Sequence, residues 1–162
     1  MIRNTKVYGL SESCFAARYA KFAKMPTQAE FEELKALEKN TALAQRLGCT
    51  PIGSGHDCFL KGVVVQADFI FSQGWWMQAQ RYRDFCIVSS QSKEHCCKEI
   101  FGYDDPDAVP MGAELGARVT TNYLQLKTMY AQRKHHRRRE WGEFCDWCKH
   151  LPLFREITQH EA

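Results

Sequence analysis

No apolar run in the 162-residue chain approaches the roughly 20 residues that a membrane-spanning helix requires. The opening stretch MIRNTKVYGLSESCF has neither the apolar block nor the small-residue cleavage site of a secretory signal, so a cytoplasmic protein is expected. Proline is scarce, at five residues, and no low-complexity linker or internal repeat interrupts the chain. That argues against a solenoid and against tethered modules, and leaves a single domain over residues 1–162 as the expectation. Charge of one sign is also lacking, because the net charge is only +3. What is present is globular: 44% hydrophobic and 25% charged residues, which excludes general disorder. A chain of this length hides about 68–70% of its unfolded surface on folding, enough for a real core.

Cysteine, by contrast, is plentiful: eight residues, at positions 14, 49, 58, 86, 96, 97, 145 and 148. Without an export signal these thiols are expected to be reduced rather than paired. Cys145-x-x-Cys148 and His95-Cys96-Cys97 invite a zinc reading. The first pair, however, falls inside an expected helix beside Phe144 and Trp147 rather than on a tight knuckle, so packing is expected and no metal is assigned. Cys58 and Cys86 have no identifiable base beside them and are not read as nucleophiles. The positive charge is concentrated in one place. Arg133, Lys134, Arg137, Arg138 and Arg139 put five cations into seven residues, and the other 155 residues sum to −2.

Periodicity gives the elements. Lys6-Val7-Tyr8 is β-prone and ends at Gly9. Residues 27–47 read as one amphipathic helix, opened by a Thr27/Glu30 capping box and stopped at Gly48. Residues 62–71 (GVVVQADFIF) alternate with period two, placing Val63, Val65, Ala67, Phe69 and Phe71 on one face of a strand. Ser72 can cap a helix through WWMQAQRYR. A second alternating strand runs from Met111 through Ala113, Leu115 and Ala117 to Val119, with Glu114, Arg118 and Thr120 opposite. Asn122 with Gln125 opens a helix to about Lys134, and a last helix covers residues 137–150. The mixture predicts an α+β fold with a small, mainly antiparallel sheet and packed helices.

Several polar residues stand where a core would not ask for them: His56, Gln78, Arg81, Arg83, Ser92, Asn122 and Arg133. Gln78 and Arg81, three apart, would share a helix face. An asparagine at a helix start presents an amide beside free backbone N–H groups. Arg133 lies eleven residues beyond Asn122, about three turns along the same helix.

These residues and their spacing resemble the flavin-dependent thymidylate synthases. Gly55-His56 precedes the strand, followed by Gln78-Ala79-Gln80-Arg81-Tyr82-Arg83, eight residues, and Ser92. Pro110, Asn122 and Arg133 then keep intervals of twelve and eleven. The resemblance covers about residues 55–134. It implies that Arg81 and Arg83 face flavin and nucleotide, that Gln78 contacts nucleotide, and that Ser92 sits beside the pyrimidine. It also implies that Asn122 approaches the flavin and that Arg133 grips the pyrimidine edge, with Ser92 and Arg133 as the catalytic pair and His56 in the binding set. Four positions depart from the family pattern. Tyr82 stands for its central histidine, Cys58 for a hydroxyl residue, and Glu94 and Pro106 for two phosphate-binding arginines.

The resemblance therefore implies a nucleotide-binding protein with an altered pocket, weak or absent FAD binding, and a homo-oligomer, a tetramer on the family's pattern. Short phage-encoded proteins carrying GSGHD, SSQS and TTNYLQLK are also similar, which implies a host-cytoplasm role such as sequestering a nucleotide signal of host defence. Two alternatives stand beside it. One is an active FAD-dependent methyl-transferring enzyme acting on a pyrimidine nucleotide. The other is an RNA- or protein-binding adaptor using residues 133–139.

Overall fold

Alternation along two nine-residue strands sets the frame. In the computed structural model, which describes residues 1–159, β1 (Ile2–Tyr8), β2 (Val64–Ser72), β3 (Cys86–Ser90) and β4 (Glu114–Asn122) form one sheet in the order β1-β2-β4-β3. Every neighbouring pair is antiparallel. Val65, Ala67, Phe69 and Phe71 of β2 and Ala117, Val119 and Thr121 of β4 are buried on one face. The other face is polar: Arg118 pairs with Asp68 at 3.1 Å, and Gln66 donates to Thr120.

The helices are α1 (Leu10–Ala16), α2 (Gln28–Leu34), α3 (Glu38–Gly48), α4 (Gln73–Ala79), α5 (Lys93–Glu99), α6 (Tyr123–Arg133), α7 (Arg139–Lys149) and α8 (Phe154–Thr158). Ser72 caps α4 through Trp75 N–H, as its position suggested. Trp75 then sits 4.4 Å from Phe71 and 4.9 Å from Trp141, ring centre to ring centre. Trp75 and Trp76 are thus core residues. Cys145 and Cys148 join them there. Burial pushes the Cys145 thiol up to about 11 and Cys148 well above its ordinary value, so both stay protonated in the packing. No helix among the described residues is long and apolar enough to cross a membrane.

The single helix expected over residues 27–47 is in fact two. The Thr27/Glu30 capping box forms, but the chain breaks after Leu34. Asn40 turns its buried amide back to donate to the carbonyls of Leu34 and Lys35, at 2.7 and 3.3 Å, satisfying the end of α2 with a side chain. The last helix begins at Arg139 rather than residue 137. Gly48 is not a left-handed stop either. It is the final residue of α3, and a Cβ there would lie 2.0 Å from the Ile157 carbonyl oxygen. Close approach of α3 to α8 requires the glycine. Gly48→Ala is expected to destabilise by about 3 kcal/mol, the upper range for overpacking, in urea unfolding; an unchanged midpoint would refute that contact.

Candidate functional site

The arginine-bearing segment is held against α6 by a turn that sequence periodicity did not show. Helix α4 ends at Ala79, so Arg81 lies beyond it and does not share a helical face with Gln78. The chain instead tightens, with Tyr82 N–H donating to Ala79 and Phe85 N–H to Tyr82, and this turn buries Phe85 in the core. Two tethers fix residues 80–85 along α6. Near the helix start, Asp84 N–H donates to the Gln125 side chain at 3.2 Å. Near its end, the Tyr82 hydroxyl accepts from Arg133 Nε at 2.8 Å and donates to Gln132 at 2.9 Å.

Asn122 caps α6, accepting from Gln125 N–H at 2.9 Å. The reciprocal half of a capping box is not made, because the Gln125 side chain serves Asp84 instead. Asn122 and Arg133 mark the two ends of the helix, about 16 Å apart at 1.5 Å per residue. Arg81 and Arg83 belong to the turn tethered between those ends, exposed and without ion-pair partners among the described residues.

Arg133 has a built seat. Its guanidinium carbon lies 4.6 Å from the centre of the Trp141 ring and 5.6 Å from that of Tyr82. Trp141 is itself fully buried and donates its indole N–H to Gln78 at 2.9 Å. Gln78 and Arg133, widely separated in sequence, are therefore joined through Trp141. The two Nη groups of Arg133 donate to nothing among the described residues. An arginine with Nε engaged, its plane on an indole and its fork uncommitted is prepared for a planar or anionic ligand.

The remaining cations divide into two kinds. Arg138 is structural: it donates to Ser72 and Glu140 and lies against Gly74, where a Cβ would come within 2.9 Å of it. Arg137 and Arg139 are exposed. His136 lies 6.2 Å from Trp141, and its Nδ1 accepts the Arg138 backbone N–H. Burial first, then the charges of Arg133, Arg137 and Arg138, hold its pKa below the ordinary 6.5. With a depressed folded pKa, its contribution to stability is complete above about pH 6.5 and is lost as pH falls through the folded value. The imidazole is expected to titrate below 6.5 by NMR, and Arg133→Gln is expected to raise that midpoint; no change would place Arg133 too far to matter.

Two of the sequence-derived candidates are not gathered here. His56 lies exposed in the turn before β2, and Ser92 stands at the N-cap position of α5 without capping it, its hydroxyl donating instead to the Glu94 carboxylate at 2.6 Å. Ser92 follows the far end of β3, about 17 Å of strand from the 80–85 turn. Two residues that sequence reasoning passed over matter more. Trp141 seats Arg133 from another helix, a contact that no local spacing announces. Lys127 forms a buried ion pair with Asp57 at 2.6 Å and also donates to the carbonyls of Gly48 and Thr50, pinning the His56 turn to α6.

No protein-family model and no curated protein matches the chain. Solved structures do. Flavin-dependent thymidylate synthase ThyX from Helicobacter pylori, complexed with FAD and dUMP, superposes with a TM-score of 0.74 at 12% identity, covering 99% of this chain and 98% of that one. A second structure of ThyX from the same organism, with FAD and dUMP, gives 0.71 at 13% identity over 98% and 100% of the two chains. At such identity the likeness establishes architecture, and the α+β fold of this chain is that of ThyX.

Proposed function

We propose that the protein binds a nucleotide, or a related phosphorylated small molecule, against the flank of α6 that runs from Asn122 to Arg133. The observation that carries the reading is the seat of Arg133, with an uncommitted guanidinium fork held on Trp141 and Tyr82. Arg81 and Arg83, on the turn beside it, supply charge for a phosphate, and Gln78 fixes the indole beneath. The fold neighbours were solved with FAD and dUMP, which supports the ligand class.

Ser92 can join Arg133 only from another copy of the chain, because the length of β3 separates them. All five residues of β3 are exposed, including Ile87 and Val88, an edge that a second copy would cover. The reading therefore includes a homo-oligomer, a tetramer on the pattern of the resemblance, with Ser92 and His56 contributed across subunits.

Two engaged side chains weigh against flavin at this pocket. The Tyr82 phenol fills the space in front of Arg133 Nε, and Ser92 is turned to Glu94 at the opposite end of the sheet. The proposed pocket holds its ligand without turning it over. Sequestering a nucleotide signal of host defence, in the cytoplasm of a phage-infected cell, is the use proposed for it.

Calorimetric titration with cyclic and pyrimidine nucleotides and FAD tests this. Arg133→Lys keeps the charge but loses the fork, so it should weaken nucleotide binding tenfold or more, about 1.5–3 kcal/mol. If no nucleotide binds the wild type, or Arg133→Lys binds equally, the pocket is not the functional site. If Arg137→Ala and Arg139→Ala abolish binding to RNA that Arg133→Lys spares, the basic segment is an adaptor surface instead.

A further inference from the structure

A flank of α6 adjacent to that of Arg133 carries a second set of donors. Lys127, Tyr130, Ala131 and Lys134 follow helical spacing, and with Ile52, Thr158 and Gln159 they enclose a cavity of about 220 Å³. Among the described residues two lysines line it and no carboxylate does. Lys127 is fully committed, its three protons going to Gly48, Thr50 and Asp57. The Thr158 hydroxyl is likewise committed, to Phe154. Lys134 differs: its ammonium has no hydrogen bond or ion pair among the described residues, and neither has the Tyr130 hydroxyl a hydrogen-bond partner. The Gln159 Nε2 group is buried and finds no acceptor among the described residues.

A buried amide N–H without an acceptor is uncommon in folded proteins, and a ligand is one way to satisfy it. Here it shares a cavity with a free ammonium and a free phenol, while Ile52, Ala131 and the Tyr130 ring supply an apolar wall. We infer that this cavity binds a small oxyanion, the carboxylate or phosphate group of a compact ligand, through Lys134 Nζ, Gln159 Nε2 and Tyr130 Oη. It is separate from the nucleotide pocket proposed above, since Arg133 leans the other way onto Tyr82 and Trp141. Its volume lies below the roughly 300–1,000 Å³ of ordinary cofactor and drug-sized sites, which suits a single anionic group rather than a whole nucleotide.

The test follows the Gln159 side-chain amide of the full chain by NMR, titrating inorganic phosphate and, separately, acetate at fixed ionic strength, with chloride as the control. Phosphate or acetate should shift that resonance along a saturating curve while chloride does not. Whichever binds more tightly identifies the group as phosphoryl or carboxylate. Lys134 is exposed, so Lys134→Gln should fold normally yet bind at least tenfold more weakly, and Lys134→Arg should retain binding. Arg133→Lys should titrate as wild type, which keeps this site's success or failure distinct from that of the nucleotide pocket. A linear response, an equal response to chloride, or a Lys134→Gln variant that binds like wild type would overturn the inference.

Discussion

Lys127→Met is expected to destabilise the protein by about 3–5 kcal/mol, the usual consequence of leaving one member of a buried ion pair alone. Both partners are almost wholly enclosed, with side chains 7% and 3% exposed. The substitution strands the Asp57 carboxylate and removes the donor from two carbonyls at once. Lys127→Met combined with Asp57→Asn should recover part of the loss, because no buried charge then remains unmatched. Urea unfolding of the three chains checks both statements. A single variant with a wild-type midpoint would mean that the pair is hydrated and holds nothing. Since the pair ties the His56 turn to α6, the single variant should also loosen that turn.

Trp141→Ala should cost about 3–5 kcal/mol as a fully buried aromatic replaced by a methyl group. It also removes the surface on which Arg133 lies and the donor that satisfies Gln78. Nucleotide affinity should therefore fall along with stability, whereas a core residue remote from the site would move stability alone. Trp141→Phe separates the two roles. It keeps a ring beneath the guanidinium but leaves Gln78 Oε1 without its donor, a loss of about 1–3 kcal/mol. Thermal unfolding and calorimetry on both variants decide the matter. Full affinity in Trp141→Ala would show that the indole does not position Arg133.

The parts of the fold that sequence made legible are those governed by local repetition. Strands β2 and β4 each bury one side, so alternation found their core faces, although β4 runs Glu114–Asn122 rather than from Met111, which is exposed before it. The caps at Thr27, Ser72 and Asn122 use short polar side chains within three residues of their targets, and all three form. Strand β3 was not legible because all five of its residues are exposed and nothing alternates. Helices α1 and α8, of seven and five residues, are too short to establish a period. The break after Leu34 depends on where Asn40 turns its amide, a choice that tertiary packing makes. In the candidate site, Gln78, Arg81, Arg83, Asn122 and Arg133 came from their polar character and the family resemblance, whereas the helical spacing of Gln78 and Arg81 misled because α4 ends at Ala79. Trp141 and the Asp57–Lys127 pair escaped notice because their partners come from distant segments; that pair spans seventy positions.

The eight thiols, which carry no chemistry in the readings above, divide the molecule by accessibility. Cys58 and Cys86 are exposed, while the other six are buried on four elements: α1, the end of α3, α5 and α7. Burial holds Cys14 and Cys145 near 11, so at neutral pH they meet a thiol reagent only when their surroundings open. Local opening free energies range from near zero at loosely packed edges up to the global value in the core. The chain thus carries its own clock for breathing motions: Cys58 reacts at once, Cys86 on β3 reports whether a second copy covers that edge, and the other six time the opening of their surroundings. Helix α5 packs chiefly against the short turn at residues 106–108, and its Cys96 and Cys97 should run fastest among the buried six.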